Sequence, residues 1–176
     1  IVEFTRGKVY VQCKQLLPLK DQIIRGNGAT LKRCDAVTTV LLEDAKAGDL
    51  SIVVADPDVF ELGQSLTPVK GNGSINDGES IVNHWLWAKD GNVLHLRGGL
   101  KQDYPAGSIV YVKFAQLYVQ NSSPGVTIEN LTFDGNRQNN TVYYAWTDNP
   151  AIRGYNGMRV LNSRFYNVPG NGISPN

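Results

Sequence analysis

The feature that most constrains this chain is an internal echo. Residues 125–136 and 157–167 carry one pattern. With Val126 set against Met158, Ile128 falls on Val160, Asn130 on Asn162 and Phe133 on Phe165. Both copies place two apolar residues in alternation, then an Asn, then a Phe three positions on. That describes a short strand, a corner carrying Asn and a second short strand. Such brief strands cannot bury a face alone, and a unit that recurs in sequence buries its face by stacking copy on copy. Asn suits the corner because it tolerates left-handed backbone and its amide can hydrogen-bond along a stack. The pattern predicts a parallel β-helix.

The rest of the chain agrees with an all-β architecture. Residues 8–13, 22–25 and 29–33 read as short strands, with Pro18 in a corner where a central ladder position is forbidden. No stretch keeps a helical period over three turns, and Gly, Pro and Asn punctuate the strands at close intervals. Residues 43–113 have a different texture. They alternate turns and strands around one strong hairpin signal, Asp90-Gly91, flanked by 83–88 and 93–97. With that turn, Trp87 opposes Leu94 and Trp85 opposes Leu96, which predicts an aromatic–aliphatic cluster on one face. His84 and His95 share the other. That face offers no carboxylate, so we read the pair as solvent-facing or lightly buried histidines rather than a metal site.

The opening coils resemble a known group. Val9-Tyr10-Val11, followed by Ile23-Ile24-Arg25-Gly26-Asn27-Gly28-Ala29-Thr30-Leu31-Lys32, resembles the first coils of pectate-lyase-like right-handed β-helix proteins, which include phage tailspikes and polygalacturonase-like enzymes. The turn-rich block from Ala47 to Val110 resembles insert modules in phage tail proteins and bacterial surface β-helices. A nucleotide-binding reading of Gly26 and Gly28 fails, since strand-forming Thr30 and Leu31 follow where a helix should open. The resemblance implies a right-handed parallel β-helix over 1–42, an inserted antiparallel β module over 43–113, and β-helix coils resumed over 114–176. We read the chain as part of a longer polypeptide that opens at Ile1 without an initiator Met and ends at Asn176 in mid-strand.

Function is less legible. Seventeen basic residues against 16 acidic ones leave a net charge of +1, so nothing directs the chain to nucleic acid or an anionic membrane surface. No run of about 18 apolar residues provides a membrane-spanning helix. Glu129, Asp134 and Asp148 are the acid/base candidates near the repeat. Glycoside hydrolysis needs two such groups about 5–9.5 Å apart. Glu129 points opposite to Ile128, and Asp134 before Gly135-Asn136 is a routine turn former. A lyase of the resembled group would need a Ca²⁺-binding carboxylate cluster or a basic residue in a lyase motif, and no complete motif occurs; otherwise no cofactor and no metal is expected.

The two copies of the repeat lie 32 residues apart, and the surplus sits in a polar, aromatic excursion after Arg137. Excursions from rigid scaffolds are where function concentrates. We therefore assign ligand contact to Arg137, Tyr143, Tyr144, Trp146 and Tyr155, whose aromatic faces suit sugar rings. Asn130 and Asn162 are read as corner scaffold only. The functional expectation is a tailspike or tail-fibre β-helix, homotrimeric, on a virion or cell surface, recognising host surface polysaccharide and in enzymatic members degrading it. The alternatives are a secreted polysaccharide lyase or glycoside hydrolase, and a non-enzymatic bacterial adhesin. Asn72, Asn121, Asn130 and Asn139 form glycosylation sequons that matter only in a eukaryotic secretory setting. Cys13 shares a face with the apolar Val9 and Val11, whereas Cys34 shares one with Thr30 and Lys32, opposite Leu31. Opposite parity predicts two unpaired thiols.

Overall fold

The computed structural model describes residues 1–69, 84–140, 150–154 and 157–175. Its strands, in chain order, begin with β1 (Val2–Glu3), β2 (Val9–Gln12), β3 (Ile23–Arg25) and β4 (Thr30–Arg33). Then come β5 (Thr38–Val40), β6 (Ser51–Val53), β7 (Leu66–Val69), β8 (Trp85–Asp90), β9 (Val93–Arg97) and β10 (Ile109–Val112). The last group is β11 (Leu117–Tyr118), β12 (Thr127–Glu129), β13 (Thr132–Asp134), β14 (Ile152–Gly154), β15 (Arg159–Leu161), β16 (Arg164–Tyr166) and β17 (Ile173–Pro175). The chain is all-β, and among the described residues its helical part is the single 3-10 turn Arg137–Asn139. It divides into two compact units. One holds Ile1–Asp35 with 115–140 and 150–175, and the other holds Ala36–Phe114.

The first unit is built from three parallel sheets, ordered β1-β3-β12-β15, β2-β4-β13-β16 and β11-β14-β17. Each circuit of the chain adds one strand to each sheet in turn, and a parallel bridge between Leu16 and Leu117 extends the third sheet to the first circuit. The register matches the sequence echo: Ile128 pairs with Val160 and Phe133 with Phe165. It also reaches earlier circuits, as Val2↔Ile24↔Ile128 in the first sheet and Tyr10↔Leu31↔Phe133 in the second. These columns point inward. Ile24, Leu31, Ile128, Phe133, Leu117 and Ile152 are all buried, and the Phe133 and Phe165 rings stack with centroids 5.2 Å apart. Three-residue strands become stable because each donates its backbone groups to the circuits on both sides and its inward side chain to a continuous column.

Corners between the first and second sheets repeat one conformation. Asn27, Asn130 and Asn162 all adopt left-handed backbone, with φ of 52°, 54° and 46°. Gly26 has a different duty. Its N–H donates to the Glu129 carbonyl at 2.7 Å, and a Cβ placed on it would fall within the backbone of Asn130 and Leu131. Two circuits therefore approach here more closely than any side chain permits.

The thiol expectation is overturned. Cys13 and Cys34 form a disulfide, with Cα atoms 5.2 Å apart. The parity argument took apolar Val9 and Val11 as the core face, yet they are 60% and 69% exposed. The inward column is Tyr10 over Leu31, so Val9 and Val11 lie in register with Thr30 and Lys32 on the outward side. Cys13 and Cys34 follow the paired Gln12 and Arg33 directly and meet on that same side.

The second unit is antiparallel, with sheets β5-β10-β7 and β6-β9-β8. Its core gathers Leu41, Ile52, Val54, Phe60, Leu66, Leu86, Leu94, Leu96, Tyr104 and Val110. The hairpin exists, but its register corrects the one read from sequence. Asp90 pairs with Val93, so Gly91 and Asn92 form the two-residue loop and Gly91 takes the positive φ, 52°. A bulge between Leu86 and Ala88 then sets Leu86 opposite Leu96. Leu86, Leu94 and Leu96 are buried, whereas Trp87 sits in the bulge, 53% exposed, beside the His95 ring. The one-position shift at the turn moves each pairing by two residues and leaves Ala88 on the face of His95; the bulge exchanges the faces, so that Leu86 joins Leu96 and Trp87 is turned out. His84 is also corrected. It is fully buried, with Nδ1 2.9 Å from the Gly98 carbonyl.

Candidate functional site

Along the corner between the first and second sheets runs a groove of about 540 Å³. Every circuit contributes to it. The first supplies Arg6, the second Asn27 and Gly28, the third Asn130 and Thr132, and the fourth Asn162 and Arg164. This convergence follows from the repeat. The Asn corners recur at equivalent places, and Thr132 and Arg164, two residues after their Asn, are register partners in the second sheet. The same spacing that stacks Phe133 on Phe165 therefore stacks the polar residues around them.

The Asn backbones are committed to the stack. Gly28 N–H donates to the Asn130 carbonyl at 2.7 Å, and Asn130 N–H donates to the Leu161 carbonyl at 3.0 Å. The Asn27 side chain donates to the Phe4 carbonyl at 3.1 Å and ties the corner to the first circuit. The side chains of Asn130 and Asn162 are exposed and carry no hydrogen bond to other described residues. The lining thus offers amides, a hydroxyl, backbone groups and two guanidinium ions, with no carboxylate among its residues. Such a set donates and accepts hydrogen bonds across a broad open surface, which suits a polyhydroxylated ligand.

The sequence-derived acid/base candidates lie elsewhere. Glu129 faces outward on the first sheet and accepts a bond from Arg25 Nε at 2.6 Å. Arg25 also reaches Glu3 at 2.5 Å, so one guanidinium bridges carboxylates on the circuits either side of it. Hydrogen bonds to Glu129 and then to Glu3 hold the Arg25 pKa above its ordinary value. Asp134 is buried, and its Oδ1 accepts the Asn136 N–H at 2.9 Å, an Asx turn of the kind expected from Asp before Gly. Burial, and secondarily the Asp134 charge, push the Tyr166 phenol up. Arg137 is exposed at the start of the 3-10 turn, with its N–H donating to the Asn167 carbonyl at 2.9 Å. Asp148, Tyr143, Tyr144, Trp146 and Tyr155 lie outside the described residues. No group of three or more potential metal-ligating His, Cys, Asp or Glu occurs among the described residues.

A second polar corner, after the second sheet, is held by amides. Asn136 is buried and its Nδ2 donates to the Arg33 carbonyl at 3.1 Å and to Asp35 Oδ1 at 2.8 Å. Asn139 Nδ2 reaches the same carboxylate at 2.9 Å. These two bonds, Asn136 first, hold the Asp35 carboxyl below its usual pKa. The sequence reading gave Asn130 and Asn162 the corner alone; the structure keeps them at the corner and also sets them in the lining of the groove. The signal was present in the aligned repeat, which set polar Thr132 and Arg164 at matching distances beyond them.

No family model matches this chain. No curated protein matches it either. Among solved structures it is similar to the Gp54 tailspike of Acinetobacter baumannii bacteriophage AP22, solved in complex with A. baumannii capsular saccharide. That likeness has a TM-score of 0.35 and 13% identity, and it covers 92% of this chain. The chain spans 30% of the length of the tailspike chain.

Proposed function

We propose that this protein is a right-handed parallel β-helix of the tailspike or tail-fibre type, and that it recognises surface polysaccharide along the corner groove. One observation carries the reading: all four circuits line a single open channel of about 540 Å³, and the first, third and fourth deliver to it polar side chains without a hydrogen bond to other described residues. A groove that crosses several rigid circuits matches a long, flexible polymer better than a compact metabolite, because preformed walls spare the cost of ordering the protein on binding. The disulfide between Cys13 and Cys34 fits a protein that works outside a reducing cytosol. In this reading the antiparallel unit is an insert between coils, the assembly is a homotrimer on a virion or cell surface, and Arg137, Tyr143, Tyr144, Trp146 and Tyr155 are the further ligand contacts expected from sequence.

The test is a panel of capsular and plant polysaccharides presented to the intact protein, with binding and chain cleavage scored separately. Asn130→Gly and Asn162→Gly keep the left-handed backbone while removing the amides. The expected result is binding to at least one polysaccharide, weakened several-fold by either change. Binding that ignores both substitutions, or no binding across the panel, would overturn the groove as the recognition site. A monomer by light scattering would overturn the trimer.

A further inference from the structure

We infer that the groove selects an acidic glycan, laid along the stack axis across the circuits, with acid groups meeting Arg6 and Arg164 at its two ends. This rests on the polysaccharide reading above and adds charge and direction to it. The placement of the two cations carries the argument. Arg6 belongs to the first circuit and Arg164 to the fourth, and both line the same groove. Neighbouring circuits stack at the inter-strand spacing of about 4.8 Å, so three steps separate these residues by roughly 14 Å along the axis. That distance spans several sugar units and exceeds the reach of a single carboxylate.

The charge balance distinguishes these arginines from the others nearby. Arg25 already bridges Glu3 and Glu129. Arg6 and Arg164 have no ion pair with any other described residue. Between them the third circuit offers the Asn130 amide and the Thr132 hydroxyl, and the fourth adds the Asn162 amide, groups that hydrogen-bond neutral hydroxyls. A guanidinium at each end and amides between describe a ligand with acid groups spaced by neutral, hydroxyl-rich units. Guanidinium binds carboxylate in a planar two-point fork, which fixes register along the chain as well as adding affinity.

The experiment uses the intact protein with alginate, hyaluronate, polysialate and polygalacturonate, each beside its carboxyl-reduced derivative. At least one acidic polymer should bind about tenfold or more tighter than its reduced form, with affinity falling as salt rises. Arg6→Gln and Arg164→Gln should each weaken that acidic polymer about tenfold and the reduced form by a clearly smaller factor. Arg→Lys at either site should retain the salt dependence and lose part of the affinity. Shortened oligosaccharides should respond to one arginine or the other, and only longer ones to both. Equal binding of acidic and reduced polymers, with sensitivity to Asn162→Gly intact, would overturn the acidic inference and leave the groove reading standing. Disaccharides that respond to both arginines would overturn the lengthwise placement. No binding by any member would overturn both.

Discussion

Replacing Cys13 and Cys34 together by Ala removes the one covalent tie between the first and second circuits seen in the described chain. The sequence separation is 21 residues. Treating the bond as a closure of that loop in the unfolded chain gives an entropy loss worth about 3 kcal/mol at 25 °C. The register makes this an upper-range case, since the bond joins positions that follow the paired strands β2 and β4 directly and asks for no rearrangement of the ladder. Urea unfolding of the oxidised protein, the dithiothreitol-treated protein and the Cys13→Ala/Cys34→Ala variant provides the assay, followed by tyrosine and tryptophan fluorescence. The reduced protein and the variant should fall together, each about 3 kcal/mol below the oxidised form, and reductant should not affect the variant. Two titratable thiols in the native unreduced protein, or identical midpoints for all three samples, would refute the pairing and the register argument beneath it.

Other outcomes follow from the packing. Gly26→Ala forces a methyl into the backbone of the next circuit and should cost about 1–3 kcal/mol, read as a lowered urea midpoint; no change would show that the circuits separate freely there. Leu94→Ala in the second unit should cost about 2–5 kcal/mol, whereas Trp87→Ala in the exposed bulge should stay within about 0.5 kcal/mol, and the opposite order would restore the register expected from sequence. The Asp35 carboxyl is held low by Asn136 and Asn139. Its contribution is complete above the unfolded value of about 3.9 and is lost as pH falls through the lower folded value. Asp35→Asn should therefore flatten the acid limb of a stability–pH curve below about pH 4, and an unchanged limb would place the acid sensitivity elsewhere.

The sequence by itself determined the stacking. Val126 to Phe133 against Met158 to Phe165 gave the register of two circuits, because an inward apolar column must repeat at the same step wherever the chain returns. It also determined the Asn corners, since few residues other than Gly and Asn accept left-handed backbone readily, and the Asx role of Asp134, which depends on a neighbour two residues away. Contacts set by distant chain were decided by the tertiary structure alone. Val9 and Val11 are apolar yet face outward, because Tyr10 fills the column over Leu31 and parity admits one choice. That choice decided the disulfide. The hairpin faces turned on the bulge between Leu86 and Ala88, which the alternation of the strand does not mark and the core of Leu86, Leu94 and Leu96 settles. The groove is the clearest case. Arg6 and Arg164 are 158 positions apart in sequence and line one channel through three returns of the chain, an arrangement no local pattern encodes.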